Sequence, residues 1–170
     1  MNVFTAAAIL VALIAAVWDL KTRRIPNVLT FGSAALAVLT HLFLSGPAAA
    51  GLSLAGWLVG VAFFLPFFVL GGMGAGDVKL MAALGAWVGP ATAVWVALFS
   101  LIAGGVIGLA VALAFGYLTQ AFANVVWMFQ FWRSEGPKPV PNVTLATHEG
   151  PRLAYAIPVF AGLMVTLWLK

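Results

Sequence analysis

The sequence predicts an all-α, polytopic membrane protein with six transmembrane helices. Hydrophobic residues make up 64% of the 170 residues and charged residues only 7%, whereas about a quarter of the residues in a soluble domain are charged. So few polar groups could not cover the surface of a water-soluble fold. The apolar runs are also long and unbroken, whereas the strands of a membrane β-barrel alternate apolar and polar positions.

Three apolar stretches in the first half of the chain are long enough to cross a bilayer, which takes roughly 17 to 25 helical residues. Residues 2–18 are followed by a polar connection that contains Pro26, and proline favours the start of a new helix. The second stretch, residues 28–44, ends at a Ser-Gly-Pro turn. The third, residues 52–70, ends at the glycine-rich segment 71–76, which should break the helix.

The next apolar run, residues 77–118, is too long for one span. We expect a turn at Gly89-Pro90, which gives spans over residues 77–89 and 91–118, while a turn at Gly104-Gly105 is the alternative. Thirteen helical residues make only about 20 Å, against a bilayer core of about 30 Å. If the far end of the fourth span reaches the outer surface, its first residue, Asp77, would therefore lie inside the membrane.

The last third of the chain contains the only long polar connection, residues 119–152. Its first part, residues 122–132, is rich in aromatic residues, so it either continues the fifth span or lies in the interface, where tryptophan is favoured. The sixth span is predicted over residues 153–169. All six spans would form a single membrane-embedded domain over residues 1–170, in contact with the lipid bilayer.

The basic residues predict how this domain is oriented. Six spans place both termini on one side, and with the amino end outside, seven of the eight Lys and Arg residues fall on the cytoplasmic side. Only Lys170 falls outside, which agrees with the positive-inside rule. The connection 119–152 is then cytoplasmic. The net charge of +4 comes from Lys and Arg residues beside apolar spans, as this rule predicts, so it does not indicate nucleic-acid binding. We expect no nucleic-acid partner, and the oligomeric state is left open.

Asp19 and Asp77 are the only aspartates in the chain, and each begins an Asp-x-Lys string at the same predicted membrane face. Two close carboxyl groups can share one proton: the ionised one takes a proton from water, and the protonated one polarises a carbonyl. The pair therefore predicts aspartic-protease chemistry. Helix dipoles favour the ionised form of Asp77, at the start of a span, and disfavour that of Asp19, at the end of one. This makes Asp77 the expected base and Asp19 the expected acid.

Other roles for the two aspartates stay open. Asp19 could be a juxtamembrane charge paired with Arg23, and Asp77 could cap a helix or lie in its first turn. Two membrane carboxylates also fit a small transporter or channel that binds cations or relays protons. A third possibility is a non-catalytic assembly protein of a secretion system. Cysteine is absent, and His148 and Glu149 have no partner at zinc-ligand spacing, so we expect neither a metal nor a cofactor.

Two segments resemble the signatures of the type IV prepilin peptidases, which are bacterial inner-membrane aspartic proteases of the Gly-x-Gly-Asp class. Residues 18–27 place Ile-Pro-Asn shortly after Asp19, and residues 72–80 contain Gly-Ala-Gly-Asp. The resemblance implies an endopeptidase that cuts the basic leader from prepilin-like precursors at the cytoplasmic face, with both termini periplasmic. It assigns catalysis to Asp19 and Asp77. Gly74 and Gly76 would then give the loop freedom to bring Asp77 towards Asp19.

Three further residues are candidates for contact with the substrate or for support of the pair. Lys79 and Arg23 could tune the aspartates, although roles as topology anchors are simpler. Asn27 could contact the substrate, although it is a more ordinary helix cap.

The chain also departs from the larger members of this family. They carry a Cys-x-x-Cys domain, associated with N-methylation, between the first two spans. Here the connection is only residues 19–27, so the resemblance implies peptidase activity alone, as in the short enzymes of tight-adherence (Flp-type) pilus systems. The family's Pro-aromatic-Gly string in the last span is replaced by Ala154-Tyr155-Ala156. We interpret Tyr155 as an interfacial anchor.

Overall fold

A computed structural model of the chain describes residues 2–140 and 154–169. These residues form helices and connecting turns, with no strand among them, so the predicted all-α class is confirmed for the described chain. The predictions that concern His148, Glu149 and Lys170, and the predicted start of the last span at residue 153, lie outside these residues. The helices are α1 (Val3–Thr22), α2 (Asn27–Ser45), α3 (Pro47–Val69), α4 (Ala75–Val88), α5 (Pro90–Ala114), α6 (Leu118–Glu135) and α7 (Ala156–Trp168).

Four of these helices, α1, α2, α3 and α5, are long and apolar enough to cross a membrane. The protein is therefore a membrane protein. Among the described residues, α7 is a shorter apolar helix of 13 residues, and α4 has 14. Six spans remain a prediction, because α4 and α7 are each about 20 Å long and do not by length alone cross a core of about 30 Å.

The short helix α4 lies at the centre of the molecule. It packs against α1, α2, α3, α5 and α7, and 10 of its 14 residues are buried. Its closest approach is to α3, where the backbones of Gly56 and Gly85 touch; a methyl group on either would collide with the carbonyl of the other. Small residues allow this contact between helices, which in a membrane depends on close packing and not on a hydrophobic driving force.

The far end of α4 is fixed by polar groups. The Trp87 indole N–H donates to Ser33 Oγ at 2.8 Å, and Ser53 Oγ donates to the Ala86 carbonyl at 2.8 Å. His41 Nε2 lies 3.3 Å from the Trp87 carbonyl, with its ring stacked on Phe4. These bonds satisfy polar groups that would be costly to leave unpaired in a low-dielectric interior. As a result, α4 is held at the end remote from Asp77.

Two connections decide between the alternatives that the sequence left open. α4 ends at Val88 and α5 begins at Pro90, with Gly89 between them at φ 77°, while Gly104 and Gly105 lie inside α5. The aromatic segment after α5 does not continue that helix. It forms a separate helix, α6, after a break at Gly116 (φ 73°). α6 has no buried residue and, among the described helices, packs only against α5.

Candidate active site

A cavity of about 340 Å³ opens at the end of the bundle where α1 finishes and α2 and α4 begin. Its walls come from the last turn of α1, the α1–α2 connection, the glycine-rich segment before α4, and the first turns of α2 and α4. All seven site residues predicted from the sequence belong to this lining. The lining residues are Asp19, Arg23, Arg24, Ile25, Asn27, Gly74, Ala75, Gly76, Asp77 and Lys79.

Asp19 lies in the last turn of α1 and is only 6% exposed. Its Oδ2 accepts a hydrogen bond of 3.3 Å from the backbone N–H of Ala156, the first residue of α7. Its carbonyl accepts the N–H of Arg23, which ends α1 in the left-handed conformation (φ 53°). A buried carboxyl group from one end of the chain is thus held by backbone from the other end.

Asp77 is the third residue of α4 and is 9% exposed. Its Oδ2 accepts the backbone N–H of Gly74 at 3.2 Å, so the side chain also caps the start of the helix. Asp77 therefore lies in the first turn and caps the helix, as considered above, and it also lines the cavity. A β-carbon on Gly74 would lie 3.1 Å from Asp77 Oδ2, closer than most such contacts in proteins.

The two carboxyl groups are 58 positions apart in the sequence, yet they line one cavity and interact electrostatically. Their helix environments are more alike than the sequence suggested. Asp77 lies in the first turn of α4, as expected, but Asp19 faces the N-terminus of α7 as well as lying at the C-terminal end of α1. Since a helix N-terminus favours a negative charge, the dipole argument no longer separates a base from an acid.

The glycines before Asp77 serve different purposes in this structure. Gly71 begins the segment at φ 79°, a conformation that favours glycine. Gly74 has φ −79° and ψ 149°, which other residues adopt, and Gly76 lies within the first turn of α4. At Gly74 and Gly76 the missing side chain provides room, next to Asp77 and next to Ile25 respectively. The freedom of movement expected for these two glycines stays a prediction.

Lys79 and Asn27 form a pair at the mouth of the cavity. Lys79 Nζ donates to Asn27 Oδ1 at 2.9 Å and lies 5.3 Å from the centroid of the Phe31 ring. Asn27 is the first residue of α2, and Pro26 occupies the N-cap position without a side-chain hydrogen bond. The interpretation of Asn27 as a helix cap is therefore wrong: its side chain binds Lys79 instead.

The basic side chains around the cavity come from two places in the chain. Arg23 and Arg24 lie in the α1–α2 connection, and Lys79 lies in α4. Arg23 and Arg24 are exposed and both aspartates are buried, so these cations form a cationic rim around the cavity that contains the two carboxyl groups.

Sequence reasoning missed the contribution of α7. Ala156 donates its backbone N–H to Asp19 Oδ2, and Tyr155 immediately precedes it in the chain. Tyr155 is half-buried and its ring meets Phe64 edge-on; its interpretation as an interfacial anchor stays a prediction. A backbone N–H leaves no signal in the sequence. The one available clue was a polar tyrosine at the start of the last apolar segment.

Comparison with known protein families provides a match to the chain. The family model described as the type IV leader peptidase family matches residues 6–109, more than half of the chain, and this range contains both aspartates. Comparisons with curated proteins and with solved structures gave no significant match. The family match confirms the resemblance drawn from the two signature segments and indicates a peptidase of the prepilin-leader type. The chain belongs to the type IV leader peptidase family.

Proposed function

We propose that the protein is an aspartic endopeptidase that removes the basic leader from prepilin-like precursors. The observation that carries this proposal is the shared cavity. Asp19 lies on α1 and Asp77 on α4, yet both side chains line the same cavity at one end of the bundle. Within the described chain they are the only buried charged residues, the other buried polar side chains being Ser and Thr. Buried ionisable groups in membrane proteins are usually functional.

The proposed chemistry requires the two carboxyl groups that line the cavity to act as a close pair. Like charges within a few ångströms do not both ionise readily, so one proton is shared between them. The ionised carboxylate takes a proton from water as the oxygen attacks the scissile carbonyl carbon, and the protonated carboxyl group donates to the carbonyl oxygen. A proton then passes to the amide nitrogen as the C–N bond breaks, giving a carboxylic acid and an amine. Neither metal nor cofactor takes part in this scheme.

The cationic rim supports a cytoplasmic active site in the bacterial inner membrane. Arg23, Arg24 and Lys79 line the cavity mouth, and basic residues favour the cytoplasmic side. With six spans, both termini lie in the periplasm and the connection 119–152 lies in the cytoplasm. Only residues 23–26 separate α1 from α2, which leaves no room there for a cysteine-containing domain. We therefore propose peptidase activity without methyl transfer.

The transporter reading is less well supported. A relay across the bilayer needs a series of ionisable groups. In the described part of the chain, the buried charged residues stop at the pair that lines the cavity. Both aspartates also accept a backbone N–H, and this restraint on their side chains supports a role as a fixed pair at one end of the bundle.

Co-expression with a prepilin-like precursor that carries a basic leader tests the proposal. Wild type should shorten the precursor on a gel, and Asp19→Asn and Asp77→Asn should each abolish the shift while the protein still inserts. Glu135→Gln is the matched control, because Glu135 is an exposed acid on α6; it should cleave like wild type. Intact precursor with wild type, or full cleavage by either aspartate variant, would contradict the proposal.

A further inference from the structure

We propose that Tyr155 is a positioning residue that aims the first N–H of α7 at Asp19; this inference rests on the proposed peptidase function. The family match ends at residue 109, so nothing in it assigns a role to α7. In the structure, however, the first residue of α7, Ala156, donates its backbone N–H to Asp19, and Tyr155 immediately precedes it in the chain.

The Tyr155 ring occupies a slot between α3 and α5. Against α3, it meets the Phe64 ring edge-on, with centroids 5.9 Å apart and an interplanar angle of 77°, an arrangement that aromatic pairs prefer. Against α5, it fills the space over Gly104. A methyl group at Gly104 would lie 2.7 Å from the tyrosine hydroxyl oxygen and 2.9 Å from Cε2 and Cζ. The ring fits because residue 104 has no side chain.

This slot fixes the direction of the neighbouring N–H. Ala156 is fully buried, and its N–H is 3.3 Å from Asp19 Oδ2. The Tyr155 carbonyl accepts the N–H of Val159 at 3.2 Å, so the same residue also starts the hydrogen bonding of α7. Because consecutive Cα atoms are only about 3.8 Å apart, a wedged Tyr155 leaves the Ala156 N–H little freedom. Without the wedge, the N-terminus of α7 can shift and the hydrogen bond to Asp19 is lost.

Gly104 and its neighbour Gly105 provide a matched pair of sites. Both lie in α5, but nothing lies within 4 Å of a methyl group placed on Gly105. Gly104→Ala should therefore displace the tyrosine ring, whereas Gly105→Ala should leave it in place. A difference in activity between the two variants would therefore be caused by the space that the Tyr155 ring occupies, and not by a general effect of replacing glycine with alanine in α5.

The experiment measures kcat and KM for the purified protein in detergent with the same precursor. Tyr155→Leu should lower kcat about tenfold to a hundredfold, the scale expected when a catalytic group is misplaced by about 1 Å. KM should stay close to wild type, because the wedge acts on Asp19 and not on the substrate. Tyr155→Phe keeps the ring and should restore most of kcat.

Gly104→Ala should lower kcat as Tyr155→Leu does, and Gly105→Ala should not. The double variant Gly104→Ala/Tyr155→Leu should lose no more than the worse single variant, since the smaller side chain leaves room for the methyl group.

Wild-type kcat in Tyr155→Leu, equal losses in Tyr155→Phe and Tyr155→Leu, or equal behaviour of the two glycine variants would overturn the inference while leaving the peptidase proposal intact. Wild type that fails to cleave would overturn both. Should Tyr155→Leu not fold, the Tyr155→Phe and glycine comparisons still decide the matter.

Discussion

Lys79 Nζ donates a hydrogen bond of 2.9 Å to Asn27 Oδ1, and this bond joins α4 to α2 at the mouth of the carboxylate cavity. The residues are 52 positions apart, and Asn27 follows the Ile-Pro pair that marks the first signature segment. The bond gives both residues a structural role. Asn27 holds the Lys79 ammonium group at the rim of the cavity, and the same group lies over the Phe31 ring.

Because the Lys79–Asn27 bond is exposed, its loss should have a modest effect. Exposed charged hydrogen bonds are worth about 1 kcal/mol or less, so Asn27→Ala and Lys79→Met should each lower stability by roughly that amount. Cleavage should slow by less than about tenfold, since a tenfold change corresponds to 1.4 kcal/mol. Initial cleavage rates and thermal unfolding in detergent check this. A loss as complete as that of an aspartate variant would show that Lys79 acts in the chemistry.

The two glycines of the Gly-x-Gly-Asp segment should differ in their tolerance of alanine. Gly74→Ala places a methyl group about 3.1 Å from Asp77 Oδ2 and should push the carboxyl group away from the Gly74 N–H. At Gly76 the nearest atoms belong to the Ile25 side chain, at 3.4 to 3.6 Å, an ordinary contact. We therefore expect Gly74→Ala to slow cleavage more than Gly76→Ala. Rates measured side by side decide the order, and the reverse order would show that Gly76 is needed for movement and not for space.

The close contact between α3 and α4 should make Gly56 intolerant of substitution. A methyl group there collides with the Gly85 carbonyl and lies 2.8 Å from its carbon, and overpacking of this kind typically costs about 1–3 kcal/mol. Gly51→Ala, in the same helix with nothing within 4 Å, is the control, and should be neutral or stabilising by up to about 1 kcal/mol. Thermal unfolding of the two variants in detergent tests this. Equal stability would mean that α3 and α4 are less closely packed than described.

The proposed orientation can be tested with single cysteines, since the chain has none of its own. Thr22 ends α1 near the cavity, and Ser45 lies at the other end of α2. α2 has 19 residues, about 28 Å, which nearly matches a bilayer core. In intact cells, a membrane-impermeant thiol reagent should label Ser45→Cys but not Thr22→Cys, and in inverted vesicles the pattern should reverse. Labelling of Thr22→Cys from outside would contradict a cytoplasmic active site.

The features that could be predicted from the sequence are the local ones. The break at Gly89-Pro90 and the family were predicted and are confirmed, because each depends on neighbouring residues whose pattern is visible in the chain. The two aspartates were also singled out by their neighbours, and their catalytic role stays a prediction. The separate helix α6 was not predicted, since the break at Gly116 lies in a run that stays apolar and aromatic on both sides.

The features that the sequence did not reveal are contacts between distant residues. The hydrogen bond from Ala156 to Asp19 spans 137 positions and involves a backbone group, which every residue except proline offers. The same contact removed the dipole argument for Asp77 as the base, because that argument considered each aspartate on its own helix. The Asn27–Lys79 pair was missed for a similar reason. An asparagine at a predicted helix start is interpreted as a cap, because its long-range partner is not visible in the sequence.

The most direct test of the central claim is a comparison of cleavage rates among wild type, Asp19→Asn, Asp77→Asn and the double variant, purified and mixed with the precursor. If the two carboxyl groups form one catalytic unit, each single change removes essentially all activity and the double variant is no worse than either, since residues that act together are strongly non-additive. If one single variant keeps substantial activity, or the two losses multiply in the double variant, Asp19 and Asp77 do not share the reaction.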